Sequence, residues 1–176
     1  MPQYPAEPQR ILILGCCGAG KSTFARALAE RTGLPLISLD RHYWQPEWRK
    51  TPVAEWTRTV AELAARPHWI MDGNYAGTLD LRLARADTIV FLDYPTLTCL
   101  GRVTRRTLRH YGRTRPDMAP GCAERFDGPF FRYVATFNRT RRPALLNKLA
   151  AAGSDTRVYT PRNDREARRL LTELSR

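Results

Sequence analysis

The sequence predicts an α/β fold in which a five-stranded parallel sheet is flanked by helices, with a lid over one end. Three observations point there. Residues 15–22 read Gly-Cys-Cys-Gly-Ala-Gly-Lys-Ser, the G-x-x-x-x-G-K-S pattern of a phosphate-binding P-loop, between an apolar run and a helical stretch. Short apolar segments alternate with longer helical ones, the order of a parallel sheet with crossover helices. Ile89 to Leu92 are continuously apolar, as a strand buried on both faces requires. At 176 residues, one domain is expected.

The elements follow in order. A first strand is predicted over 10–14, and the helix after the P-loop stops near Thr32-Gly33, where glycine suits a helix C-terminus. A short second strand is predicted over 35–39. The segment 40–52 is rich in Pro and aromatic residues, including Tyr43, Trp44 and Trp48. A helix over 53–66 starts after Thr51-Pro52, with proline at its first turn. Strands three and four are predicted over 68–71 and 88–92, and a long helix over 95–110. Gly and Pro mark 111–129 as loop or lid. Helix resumes over 129–152, the fifth strand takes 156–160, and a last helix takes 164–174. The core is thus expected over 10–39, 68–108 and 130–176, with an acceptor-binding insertion near 40–67 and a lid near 109–129. No internal repeat or low-complexity tract interrupts this pattern.

The P-loop carries specific chemistry. Gly15, Gly18 and Gly20 let the backbone curl so that N–H groups point at phosphate oxygens. Ala19 and Thr23 complete the loop and the first helical turn, whose positive end adds to the field. Lys21 is expected to reach the β- and γ-phosphates of ATP, and the Ser22 hydroxyl to ligate Mg²⁺.

Composition narrows the setting. No apolar run is long enough to cross a membrane. Residues 1–10 hold three prolines and no apolar h-region, so they read as a short leader and not as a signal peptide. The four cysteines, Cys16, Cys17, Cys99 and Cys122, form no C-x-x-C pair, which argues against zinc and suits free thiols in the cytoplasm. Cys16 and Cys17 read as small loop-filling residues; thiols acidified by Lys21 are the alternative. The net charge is +12, and residues 102–142 hold eleven arginines against Asp117, Glu124 and Asp127. The planar guanidinium grips phosphate bidentately, so this arc reads either as a phosphoryl-clamping lid or as a nucleic-acid face.

Ligands of such sheets sit beyond the carboxyl ends of the strands. Asp40, Asp72 and Asp93 stand at three of those ends. Asp72 is the expected metal partner. Asp93 is either a metal-related carboxylate or the cap of the helix that follows Pro95. Asp40 is expected to orient or deprotonate an acceptor hydroxyl, with a turn carboxylate as the alternative. Trp44 is the pocket candidate of the insertion, Trp56 reads as core, and His42 as packing.

The chain resembles the nucleoside monophosphate kinase group of P-loop proteins. Ile70-Met71-Asp72-Gly73 is similar to the Asp-Gly-Phe-Pro-Arg stretch of adenylate kinases, but Asn74-Tyr75 replace Phe-Pro and Ala76 stands in place of the arginine. A narrower resemblance covers nearly the whole chain. Leu39-Asp40, Tyr43-Trp44-Gln45-Pro46-Glu47-Trp48, Met71-Asp72-Gly73-Asn74-Tyr75, 86–93, Arg115-Pro116-Asp117-Met118 and Gly121-Cys122 look like the small adenylate-kinase-related proteins labelled topology modulation proteins, or FlaR-like. This resemblance implies an ATP- and Mg²⁺-using phosphotransferase. It places Lys21, Arg102, Arg106 and Asp40 in catalysis, and Arg105 and Arg162 beside the nucleotide. Arg102, Arg105, Arg106 and Arg109 have the spacing of one helical face. Asp40, Trp44, Asn74, Tyr75 and Arg82 would hold the acceptor, with Arg82 or Arg85 replacing the missing arginine.

Two readings stay open for the acceptor: a nucleoside monophosphate, which needs arginines on that side, or an uncharged hydroxyl compound. A third reading, a nucleic-acid-associated ATPase, rests on the basic arc alone.

Overall fold

The computed structural model describes residues 8–115, 118–153 and 155–175. Most of the expected leader, and Pro116 and Asp117, lie outside these residues. The elements run β1 (Arg10–Gly15), α1 (Lys21–Thr32), β2 (Leu36–Ser38), α2 (Leu39–Tyr43), β3 (Trp44–Gln45), β4 (Arg49–Lys50), α3 (Val53–Ala64), β5 (Trp69–Asp72), α4 (Leu79–Leu83), β6 (Thr88–Leu92), α5 (Thr96–His110), α6 (Gly128–Thr140), α7 (Arg142–Ala150), β7 (Arg157–Tyr159) and α8 (Asp164–Glu173).

The main sheet has the order β2-β5-β1-β6-β7, with every pair parallel. This is the five-stranded parallel sheet that the alternation predicts. β1 is central, and Ile11 to Leu14 are fully buried because helices cover both faces. The register sets Ile13 beside Asp72 and Gly15 beside Leu92. Asp72 and Asp93 therefore flank the entry to the P-loop.

The helices bury the stripes that their spacing implies. α3 buries Trp56, Val60, Leu63 and Ala64, which places Trp56 in the core as expected. α1 ends at Gly33, whose left-handed φ of 72° lets its N–H return to the Ala29 carbonyl. α8 opens with a reciprocal cap: Asn163 accepts from the Glu166 N–H, and the Glu166 carboxylate accepts from the Arg162 N–H.

Three local expectations change. The segment 40–52 is ordered, as helix α2 and a small antiparallel hairpin, β3–β4. The helix expected over 129–152 is two helices, broken at Arg141. Pro143 lies in the first turn of α7, where it can neither donate a hydrogen bond nor tolerate the carbonyl four residues back. A further short helix, α4, follows β5.

The β3–β4 turn is strained. Glu47 and Trp48 both take positive φ, 64° and 60°, although neither is glycine. Such conformations cost on the order of 1–3 kcal/mol each. They are held from the segment after α5. The Glu47 N–H donates to the Gly121 carbonyl at 3.1 Å, and Trp48 Nε1 to the Ala123 carbonyl at 2.8 Å. Trp44 and Trp48 also pack on Met118, Ala119 and Cys122.

Candidate active site

The P-loop spans the gap between β1 and α1. Gly15 and Gly18 have φ of 143° and 87°, in the range that favours glycine. A Cβ on Gly18 would lie 2.3 Å from the Cys99 carbonyl oxygen, so the loop rests directly on α5. The first helical N–H, from Phe24, bonds back to Gly20. The N–H groups of Lys21, Ser22 and Thr23 therefore precede the helical ladder, at its positive end. Thr23 is exposed there.

Lys21 folds over the loop, with Nζ donating to the Cys16 carbonyl at 3.2 Å. Burial opposes its charge, but Cys17, Asp72 and Asp40 hold its pKa above the ordinary lysine value. It is a cation throughout the neutral range.

Ser22 Oγ donates to Asp72 Oδ2 at 2.7 Å. The strand register brings these residues together, fifty positions apart. Asp72 is buried, at 5% exposure. Two hard oxygen donors at a P-loop suit Mg²⁺, which prefers one or two protein ligands and completes its shell with phosphate oxygens and water. Among the described residues no cluster of three metal-binding side chains exists, so the fit is to an ion that arrives with a nucleotide.

The loop after β5 reaches three ways. Asp72 meets Ser22. Asn74 clamps Gly15 from both sides: its Oδ1 accepts from the Gly15 N–H at 3.0 Å, and its Nδ2 donates to the Gly15 carbonyl at 2.8 Å. Tyr75 donates its hydroxyl to Asp40 Oδ1 at 2.5 Å. Burial, then the Asp40 charge, raise the Tyr75 pKa far above the tyrosine range, so it stays a donor. Asp40 caps no helix; the N-cap of α2 is Ser38.

Two expected acceptor residues have partners within the chain. Asn74 spends its amide on the P-loop backbone and on Tyr133, whose hydroxyl lies 3.5 Å away. Arg82 is fully buried and grips the carbonyls of Gly73, Asn74, Tyr75 and Thr78 at 2.5–3.3 Å. Burial lowers its pKa to about 10, which leaves it charged at neutral pH. It shapes the turn that presents Asp72, Asn74 and Tyr75. Arg85 is exposed. Trp44 packs edge-on against Tyr43 and Trp48.

The α5 arginines do not act as one row. Arg102 lies 3.8 Å from the Cβ position of Gly20, stacks on Tyr94, and forms an ion pair with Asp164 at 2.7 Å. Arg106 lies over Phe130 and against the buried carboxylate of Glu124, which Arg115 also meets at 2.5 Å. Arg105 and Arg109 line a shallow groove with Gly101, Thr104 and Leu108. The wheel places Arg105 opposite the Cys99–Val103–Thr107 face that packs inward, away from the loop. Arg162 is exposed just after β7, beside Asp93, whose N–H donates to the Pro161 carbonyl. Asp93 is neither metal-facing nor a helix cap: Arg142 holds both its carboxylate oxygens at 2.7 Å.

Other residues carry no local sequence signal. Tyr133 on α6 stands beside Lys21 and Asn74, and burial raises its pKa. Cys16 is raised by its hydrogen bond with Cys99 and by burial, and Cys17 by burial. Neither is an acidified thiol; both fill space, as their small size suggests.

Comparison with known proteins agrees with this architecture. The family model described as isopentenyl transferase matches residues 8–48, the segment from β1 through the P-loop to the β3–β4 turn. No curated protein sequence matches the chain. Shikimate kinase from Acinetobacter baumannii, solved with shikimate, is 19% identical, with TM-score 0.63 over 96% of this chain and 91% of that one. A candidate kinase from Chloroflexus aurantiacus is 17% identical, with TM-score 0.57 over 98% and 97%. Shikimate kinase from Bacteroides thetaiotaomicron is 17% identical, with TM-score 0.53 over 95% and 96%. At these identities the likeness establishes the fold: the chain has the α/β architecture of the P-loop kinases.

Proposed function

We propose that this protein is a P-loop phosphotransferase that moves the γ-phosphoryl group of Mg-ATP to a small acceptor. The observation that carries the reading is the 2.7 Å contact of Ser22 with Asp72 beside Lys21 at the P-loop. A hydroxyl, a carboxylate and a lysine are what a magnesium-bound triphosphate requires at this position. Mg²⁺ held by Ser22 and Asp72 would supply charge neutralisation to the triphosphate.

The chain's own residues supply the rest. Loop N–H groups and Lys21 orient the triphosphate and stabilise charge on its oxygens. Arg102 stands beside Gly20 of the loop with its charge paired to Asp164, and Arg106 faces Glu124. Asp40, held by Tyr75, accepts the proton of the acceptor hydroxyl as its oxygen bonds to the γ-phosphorus. The bond from that phosphorus to the bridging oxygen of ADP breaks in the same transfer.

The nucleic-acid ATPase reading still rests on the basic arc alone. Of its eleven arginines, Arg102, Arg106, Arg115 and Arg142 are paired with Asp164, Glu124 and Asp93 within the fold, while the other seven are exposed. No nucleic-acid-reading motif accompanies them, and a steep fall of binding with salt is the signature that reading requires.

The test is Mg-ATP turnover, scored as ADP formed with and without acceptors, in wild type and Lys21→Met. The variant should lose about 10²–10³ in rate, the usual effect of removing one such donor, with an unchanged melting temperature. Turnover preserved in Lys21→Met sinks the mechanism.

A further inference from the structure

The arrangement around Asp40 bears on the acceptor itself, and the argument rests on the phosphotransferase reading. A phosphate monoester or carboxylic acid needs a guanidinium or ammonium on the acceptor side. Among the described residues Arg82 is the one buried arginine there, and it donates to four backbone carbonyls. Arg41, Arg49, Arg58 and Arg85 are exposed, with no buried partner to fix them toward Asp40 among the contacts of the described residues. Burial and the charges of Arg66 and Arg41 lower the pKa of His42, so it is neutral as well. Lys21 belongs to the P-loop, and Arg106 and Arg115 already face the buried Glu124.

What remains at this end of the cleft is a carboxylate with rings around it. Asp40 receives the Tyr75 hydroxyl, and Tyr75 lies 4.7 Å from Tyr43, centroid to centroid. Tyr43 in turn meets Trp44 edge-on at 4.9 Å. An anionic acceptor would meet Asp40 as a like charge in a partly buried setting. We propose that the acceptor is a neutral, ring-bearing alcohol: it offers a hydroxyl to Asp40 and a ring to the Tyr43–Trp44–Tyr75 surface. Aromatic faces of this kind recognise flat or apolar bodies without charge.

Calorimetry and turnover test this together. Mg-ATP is titrated first; absence of binding overturns the phosphotransferase reading and this proposal with it. Diadenosine pentaphosphate, which spans a triphosphate site and a monophosphate site, is titrated next. It should bind within about threefold of ATP, under 1 kcal/mol of difference. Affinity tenfold or more above that of ATP, ~1.4 kcal/mol, overturns the proposal and leaves phosphotransfer standing. ADP release is then measured with nucleosides, the corresponding monophosphates and shikimate at millimolar concentration. Nucleosides should raise it about tenfold, a change of ~1.4 kcal/mol in barrier. Larger stimulation by a monophosphate or by the acid, or none by nucleosides, overturns the proposal. Asp40→Asn should abolish the nucleoside stimulation. Stimulation that persists in that variant also overturns it.

Discussion

Removing the Asn74 side chain tests how the P-loop is held. Its amide satisfies both the N–H and the carbonyl of Gly15, at 3.0 and 2.8 Å, fifty-nine positions away in sequence. Asn74→Ala leaves both groups in a mostly buried position. Each orphaned polar group costs about 1–3 kcal/mol, and water entering the vacated space recovers part of that, so ~2–4 kcal/mol is expected. In a chain of this size 1 kcal/mol corresponds to about 2–4 °C, which places the fall in melting temperature at about 4–16 °C. Asn74→Asp keeps the acceptor for the Gly15 N–H but turns a carboxylate toward the Gly15 carbonyl, so it should not rescue. The assay is thermal unfolding with and without Mg-ATP, together with KM for ATP. Because Gly15 opens the loop, KM should rise as stability falls. A melting temperature within about 1 °C of wild type, with unchanged KM, would refute the clamp.

Further expectations concern the surroundings. Gly18→Ala drives a Cβ to 2.3 Å from the Cys99 carbonyl at a φ of 87°, so it should destabilise the fold by several kcal/mol and yield little soluble protein; normal expression and melting would contradict the packing of the loop on α5. Trp48→Phe keeps the ring but loses the 2.8 Å bond to Ala123, worth about 0.5–1.5 kcal/mol. Hydrogen exchange at residues 118–124 should quicken in that variant, and unchanged protection would count against the pinned hairpin. Asp164 is held below its ordinary carboxylate pKa by Arg102 and by the Tyr94 hydroxyl. Its contribution is present above that ordinary value and is lost as the pH falls through the depressed folded value. Asp164→Asn should therefore open a stability gap to wild type at neutral pH that closes in strong acid. A constant gap in pH-dependent melting would exclude this linkage.

Much of the fold was legible from residues close in sequence. The G-x-x-x-x-G-K-S loop, the apolar run Ile11–Leu14 and the C-terminal Gly33 are local patterns. Local sterics and hydrogen bonding reward them wherever they occur. Asp72 as partner of Ser22 was also accessible, because a parallel sheet aligns its strand ends beside the loop.

The roles of Arg82, Asn74, Asp93 and Tyr133 were not legible. A guanidinium looks the same in sequence whether it faces a phosphate, a carboxylate or a set of carbonyls. Which of these it meets depends on segments brought together only by packing. Arg82 turned inward because the tight turn after β5 exposes carbonyls that no strand neighbour can satisfy. Asp93 found Arg142 because the break at Pro143 starts a new helix beside it. The sequence by itself determined a P-loop on a parallel sheet. Tertiary structure decided which polar side chains stay available for a ligand, since that depends on what each buried donor and acceptor finds when the chain closes around it.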